Sequence, residues 1–113
     1  METKQGHLLR IFVGEKDRHE NLPLYEWIVQ KAHETGLAGA TVLRGMEGFG
    51  AGSRIHTARI LRLSTDLPLI IEIVDTIDNI ERFLPEVDDA IKEGLATLES
   101  VEIRFYRTRS GEH

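Results

Sequence analysis

The apolar residues between positions 67 and 91 change their spacing once, and this change constrains the fold more than any other feature of the chain. Residues 67–75, LPLIIEIVD, form an almost uninterrupted β-branched run, which is typical of a central strand. The apolar residues that follow are spaced by three or four positions, as on one face of an amphipathic helix. They are Ile77, Ile80, Leu84, Val87 and Ile91. A strand followed directly by such a helix predicts helices packed on a sheet.

The ends of this helix and the strand after it are also marked in the sequence. Thr76 is a candidate cap for the helix, and Gly94 is expected to end it. We expect a kink or a break at Pro85, because proline removes a backbone hydrogen bond and clashes with the preceding turn. Residues 101–109 then alternate apolar with charged or polar side chains, which predicts a last strand.

The first half of the chain has the same order of elements. Residues 7–14 predict a strand, and the helix that follows is expected to end at Gly36. The apolar stripe of this helix comprises Leu24, Ile28 and Ala32. Residues 37–44 predict a second strand. The order is β-α-β, an excursion, and β-α-β. It predicts an α+β, ferredoxin-like βαββαβ sandwich with two helices on one face of an antiparallel sheet.

Length and composition allow one domain and exclude several classes of protein. The 113 residues suffice for one modest core, so we expect a single domain over residues 1–113, with flexible ends at 1–6 and 110–113. The absence of cysteine excludes disulfides and thiolate metal sites. A net charge of −5 and few aromatic residues disfavour nucleic-acid binding. The polar N-terminus and short apolar runs predict a cytoplasmic protein without membrane insertion.

Residues 44–57, RGMEGFGAGSRIHT, begin a basic, glycine-rich excursion between two predicted strands. Successive glycines let backbone N–H groups converge on an anion, and Gly48, Gly50 and Gly52 are candidates for holding a phosphate in this way. The alternative is a mobile loop without a ligand. The whole excursion is predicted to cover residues 47–66.

Arginines also cluster at the end of the chain. Arg107 and Arg109 fall on one face of the last predicted strand, and the planar guanidinium suits bidentate contact with phosphate. The alternative is that both are solvated or paired with acids of a neighbouring subunit. The five histidines lack ligand spacing, so no metal site is predicted. The sequence offers no paired nucleophile and base, and we do not expect an enzyme.

Two stretches resemble the PII signalling proteins. GLAGATVLRGMEGFG (residues 36–50) is similar to the PII pattern Gly-x-x-Gly-x-Thr-Val followed by Gly-Phe-Gly, with one extra residue in between. RTRSGE (residues 107–112) is similar to the PII pattern arginine-x-arginine-Thr-Gly-Glu. Over residues 6–110 the chain more closely resembles a PII-like family of uncharacterised bacterial and archaeal proteins. The matching stretches include LLRIFVGEKDR, PLYEWIV, RIHTARILRLS and DLPLIIEIVD.

This resemblance implies a homotrimer that binds an anionic small molecule, above all an adenine nucleotide, in clefts between subunits. Residues 47–66 correspond to a T-loop that signals to a protein partner, such as a membrane transporter or channel. By this resemblance Thr41 approaches the base; the alternative is an ordinary strand residue. Arg54 lies where a flexible loop would fold it over the effector, and the alternative is a solvent-exposed loop charge. The cleft lining is implied to comprise Gly48, Phe49 and Gly50, and the phosphate contacts Arg107 and Arg109. No cofactor is required.

The chain departs from the PII pattern at three places. The tyrosine that some PII proteins modify in the T-loop has no counterpart between residues 47 and 66. Ala51 replaces the arginine that follows Gly-Phe-Gly in many PII proteins, and residues 92–102 lack the phosphate-holding Gly-Asp-Gly-Lys motif. A different adenine nucleotide, a cyclic nucleotide or another anion therefore stays open as the effector. The competing hypothesis is a ligand-independent protein–protein adaptor that uses the same arm.

Overall fold

The structure is a computed structural model that describes residues 4–48, 56–57 and 66–109. This part of the chain contains two helices and eight strands. They are β1 (Lys4–Gly14), β2 (Arg18–His19), β3 (Leu22–Pro23), α1 (Leu24–Glu34), β4 (Thr41–Arg44), β5 (Glu47–Gly48), β6 (His56–Thr57), β7 (Pro68–Asp75), α2 (Ile77–Asp88) and β8 (Leu95–Ile103).

The main sheet is antiparallel and has the strand order β4-β7-β1-β8. In its register, Leu9 of β1 lies opposite Ile73 of β7 on one side and Leu98 of β8 on the other. The short β4 pairs with the outer side of β7, where Val42 lies opposite Ile71. This arrangement confirms the predicted α+β, ferredoxin-like fold.

Both helices cover the same face of the sheet, and the core lies between the two layers. Directly opposite residues of paired strands share a face, so alternate positions of β1 and β7 point toward the helices. The buried strand residues are Leu9, Ile11, Val13, Leu69, Ile71 and Ile73. The buried helix residues are Leu24, Ile28, Ala32, Ile80, Phe83 and Val87. The apolar stripe predicted for the first helix is therefore confirmed.

The ends of α2 differ in part from the prediction. Thr76 caps the helix, accepting a hydrogen bond from the Asn79 N–H at 3.2 Å. The helix runs through Pro85 without a break and ends at Asp88, well before Gly94. Pro85 lies in the last turn, and its missing N–H removes one intrahelical hydrogen bond, the one to the carbonyl of Glu81.

Two predicted strands also have different bounds. The chain between Gly36 and β4 is not a strand, because Gly36 adopts φ +83° and the Leu37 N–H donates back to the carbonyl of Ala32, which closes α1. The last strand begins at Leu95 and ends at Ile103, instead of covering residues 101–109. The stretch from Leu95 to Leu98 suits helix and strand equally in sequence, and pairing with β1 decides between them.

The second face of the sheet carries apolar side chains that remain accessible. Leu43, Val74 and Leu95 are 43%, 41% and 56% exposed, respectively. Within the same face, the Arg10 guanidinium lies 3.0 Å from the Glu72 carboxylate and 2.6 Å from the Glu99 carboxylate. The hydrogen bonds that Arg10 donates to the carboxylates of Glu72 and Glu99 raise the pKa of Arg10 above its usual value. Neither described helix is long and apolar enough to cross a membrane.

Candidate functional site

The segment of residues 104–109 leaves the sheet after β8 and carries the two arginines of the predicted site. β8 lies at one edge of the sheet and β4 at the other. The Tyr106 hydroxyl donates a 2.7 Å hydrogen bond to the carbonyl of Ala38, which precedes β4. The segment therefore crosses the end of the sheet. Arg107 and Arg109 do not lie on a strand, and the prediction that they share a strand face is wrong, because pairing with β1 stops at Ile103.

Asp75 holds the contact point of this segment in place. Its buried carboxylate accepts hydrogen bonds from the Ala38 N–H at 2.8 Å, the Thr76 N–H at 2.7 Å and the Asn79 amide at 2.8 Å. Burial alone raises the pKa of Asp75, but these hydrogen bonds outweigh it, and the pKa lies below its usual value. The charged carboxylate thus ties the loop before β4 to the start of α2.

Arg107 is held by an aromatic ring. Its guanidinium carbon lies 4.4 Å from the ring centroid of Phe105, in the geometry of a cation–π contact. The Phe105 side chain is 62% exposed, so this contact faces solvent. Arg109 is also exposed, whereas Arg104 lies 3.4 Å from the Glu102 carboxylate. The sequence did not single out Phe105 or Tyr106, because in a predicted strand both read as ordinary alternating residues.

Gly48 lies beyond the other end of β4. β5 and β6 pair with each other, Glu47 opposite Thr57 and Gly48 opposite His56, so the described part of the excursion forms a narrow two-stranded ladder. The Gly45 N–H donates to the carbonyl of Pro68 at 2.7 Å and joins this ladder to the sheet. Phe49, Gly50 and Arg54 lie outside the described residues, as does most of the predicted excursion.

A groove of about 510 Å³ lies near the same end, between the last turns of α2 and the start of β8. Gly94 forms part of its wall, and a Cβ there would approach the Phe12 carbonyl oxygen to 2.6 Å, so the close passage of the chain requires glycine. The charged side chains on the groove are Glu81, Asp88 and Lys92, and the apolar ones include Leu84, Ile91 and Leu95. Lys92 and Gly94 of this groove belong to residues 92–102, which lack the phosphate-holding Gly-Asp-Gly-Lys motif of the PII proteins.

The predicted site residues that the structure describes thus fall into two groups. Thr41 begins β4 and lies, with Arg107 and Arg109, toward the end of the sheet marked by Asp75. Gly48 lies beyond the end marked by Pro68. Pro68 and Asp75 are the two ends of β7, about 23 Å apart at the rise of a β-strand. Within one chain, these described residues therefore lie apart.

The arginine that begins the glycine-rich stretch is paired within the chain. Arg44, the first arginine of the glycine-rich stretch, forms an ion pair with Glu15, so its charge is already compensated within the chain. Among the residues that the structure describes, no three His, Asp or Glu side chains converge in a way that would hold a metal ion.

Comparison with known proteins gives a family match and a set of similar folds. The family model DUF190, described as "Uncharacterized ACR", matches residues 6–103. A UPF0166 protein of Aquifex aeolicus is 39% identical over 105 residues, which cover 93% of this chain and 99% of that protein. A UPF0166 protein of Methanocaldococcus jannaschii is 39% identical over 88 residues, covering 78% and 81%.

Among solved structures, the fold is similar to that of CPII from Thiomonas intermedia, described as a nitrogen regulatory PII-like protein bound to ADP, AMP and bicarbonate. The TM-score is 0.70, with 12% sequence identity over 90% of this chain and 91% of that one. At this identity the likeness shows the fold alone, and it shows a PII-like fold.

Proposed function

The chain belongs to the DUF190 family, and from this membership and its PII-like fold we propose that it is a single-domain regulator that binds an adenine nucleotide in the clefts of a homotrimer. This proposal takes up the resemblance that the sequence motifs indicated. Its mechanism is a shift in the conformation of residues 47–66 when the ligand binds, which a protein partner then recognises. A membrane transporter or channel is the proposed kind of partner.

The separation of the two groups of site residues is the observation that carries this proposal. Gly48 lies beyond one end of the sheet, while Arg107 and Arg109 lie at the other. In a ring of identical subunits, each interface joins one surface of a chain to a different surface of its neighbour. A cleft at such an interface receives the arginines from one subunit and the glycine end from the next. The separation of these described residues supports the proposal, because a shared site needs its two halves on different surfaces of the chain.

The open face of the sheet is the proposed surface of contact between the subunits. The exposure of Leu43, Val74 and Leu95 leaves apolar area for association to bury. Arg10 lies among these side chains but is already paired with Glu72 and Glu99, so burying it costs less than burying an unpaired charge. Three copies of this face, packed around a common axis, would form the centre of the trimer.

The chemistry of the ligand follows from the charges at the two ends. Arg107 and Arg109 are exposed, and the planar guanidinium suits phosphate, while consecutive backbone N–H groups of a glycine-rich stretch suit the same anion. CPII is described as bound to ADP, AMP and bicarbonate, so these are the first ligands to test. We propose a regulator and not an enzyme, because the described site residues offer phosphate contacts but no nucleophile with a base beside it.

The second candidate function is a ligand-independent adaptor. The departures from the PII pattern favour it, since Ala51 and residues 92–102 lack two of the groups that hold phosphate in PII proteins. In this case residues 47–66 would dock onto the partner without a ligand, and nucleotides would not affect the assembly.

Binding measurements on the purified trimer distinguish the two functions. The experiment measures the molar mass by light scattering and the melting temperature with AMP, ADP, ATP, cyclic nucleotides and bicarbonate. A nucleotide present at 100 times its Kd should add about 2.7 kcal/mol to the free energy of unfolding, a shift of several degrees. The variant carrying Arg107→Ala and Arg109→Ala should keep the trimer mass and lose the shift. A folded trimer that no ligand stabilises would favour the adaptor.

A further inference from the structure

Arg107 differs from several other arginines of the chain in what holds it. Arg10, Arg44 and Arg104 each direct guanidinium N–H groups at a glutamate, which occupies those donors. Within residues 4–48 and 66–109, Arg107 has no carboxylate within ion-pair distance and lies over the ring of Phe105 instead. A cation–π contact holds the cation against the face of the ring and supplies no carboxylate oxygen, so it leaves guanidinium N–H donors available to an anion. Phe105 thus restrains the arginine without occupying its hydrogen-bonding capacity.

The backbone under Arg107 is restrained by the neighbouring residue. Tyr106 donates its hydroxyl hydrogen to the Ala38 carbonyl at 2.7 Å, and the Ala38 N–H donates to the buried carboxylate of Asp75 at 2.8 Å. This chain of hydrogen bonds links a segment beyond the last strand to the start of α2. Two consecutive aromatic residues therefore have separate tasks: one fixes the segment and the other fixes the arginine.

We propose that Phe105 and Tyr106 are positioning residues for Arg107, and that together they present its guanidinium to the phosphate of a nucleoside mono- or diphosphate. This inference rests on the proposed function, which supplies the phosphate. A long arginine side chain loses conformational freedom when it binds an anion, and that loss weakens binding. A ring that restrains the side chain beforehand reduces the loss. The ring acts on the phosphate through Arg107 only, so it has no effect on a ligand without phosphate.

The size of the effect follows from the two contacts. Loss of a cation–π contact at an exposed site corresponds to a two- to fivefold weaker affinity, at about 1.4 kcal/mol per tenfold. Loss of the neutral hydrogen bond of Tyr106 corresponds to about a two- to tenfold weaker affinity. Both losses apply to AMP and ADP. Adenosine, which shares the base and the ribose but has no phosphate, should bind each variant as it binds the unmodified protein.

The test is a calorimetric titration of the trimer with ADP, AMP and adenosine. The variants are Phe105→Leu, Phe105→Trp, Tyr106→Phe and Arg107→Lys. We expect Phe105→Leu and Tyr106→Phe to weaken ADP and AMP within the ranges given, with adenosine unaffected. Phe105→Trp should keep the affinity for ADP and AMP that Phe105→Leu loses, because tryptophan offers a better face to a cation. Arg107→Lys should lose affinity despite its charge, because lysine lacks the planar fork. The matched control, Arg104→Lys, alters an arginine of the same segment and should leave all three affinities unchanged.

A second measurement needs no ligand. The ¹⁵N relaxation of the Arg107 side-chain Nε in the free protein should report a more mobile guanidinium in Phe105→Leu than in the unmodified protein. Equal mobility in the two proteins would overturn the proposal. If the unmodified protein binds ADP and Phe105→Leu binds it with the same affinity, the proposal is also overturned. It is overturned as well if Phe105→Leu weakens adenosine as much as it weakens ADP. If the unmodified trimer binds neither ADP nor AMP, the proposed function itself is refuted, and the positioning role is refuted with it.

Discussion

Mixed trimers can show whether the proposed site is shared between two subunits. The perturbation is a pair of variants with defects at opposite ends of the sheet. One chain carries Arg107→Ala and Arg109→Ala, which remove the proposed phosphate contacts at the end marked by Asp75. The other carries Gly48→Glu, which puts a carboxylate beyond the end marked by Pro68, where the phosphate is proposed to bind. Each variant alone should form trimers that do not bind nucleotide.

The expected recovery follows from the geometry of the two ends. They are about 23 Å apart along β7, so one phosphate group cannot contact both within a chain. In a shared cleft, the arginine end and the glycine end come from different subunits. A cleft is intact when the arginine end comes from the Gly48→Glu chain and the glycine end from the double-alanine chain. Random mixing of equal amounts produces this combination in about a quarter of the clefts.

The assay is the stoichiometry of ADP binding by calorimetry after the two variants have been unfolded and refolded together. Native mass spectrometry verifies that the trimers contain both chains, and each variant refolded alone is the control. We expect about a quarter of the binding capacity of the unmodified protein, at the unmodified affinity. Verified mixed trimers without any recovered capacity would refute a shared site, because two defective chains cannot complement each other within a site that one chain forms alone.

Three further predictions concern stability and assembly. Phe83→Ala empties the centre of the core and should lower the free energy of unfolding in urea by about 3–5 kcal/mol, whereas Phe105→Ala, at an exposed ring, should change it by less than about 0.5 kcal/mol. The pKa of Asp75 is lowered in the folded state, so its ionised carboxylate stabilises the fold above the unfolded pKa, about 3.9. This contribution is lost as the pH falls through the folded pKa. Asp75→Asn should remove this part of the acid dependence of stability, measured by urea titrations at a series of pH values. Leu43→Glu adds a charge to the open face and should give folded monomers by light scattering, whereas Gln30→Glu, on an exposed part of α1, should leave the trimer intact; a trimeric Leu43→Glu protein would contradict the proposed interface.

The sequence by itself determined the order of elements, the apolar stripe of α1 and the family. These features are local, because the spacing of apolar residues depends on neighbours three or four positions away in a helix and two in a strand. Ile28 and Ile80 are buried for this reason, and each could be placed in the core before any contact was known. The motifs that indicated the PII-like family are also continuous stretches, so they needed no knowledge of tertiary contacts.

The tertiary structure alone decided where β8 begins and ends, and what surrounds the terminal arginines. Leu95 belongs to the sheet because it pairs with Phe12. Tyr106 lies beyond the end of β8 and donates a hydrogen bond to Ala38, 68 positions earlier in the chain. Neither partner can be read from the residues next to Leu95 or Tyr106. The pairing of distant strands also places Gly48 beyond one end of the sheet and Arg107 and Arg109 at the other. The sequence around each of these residues does not contain that information.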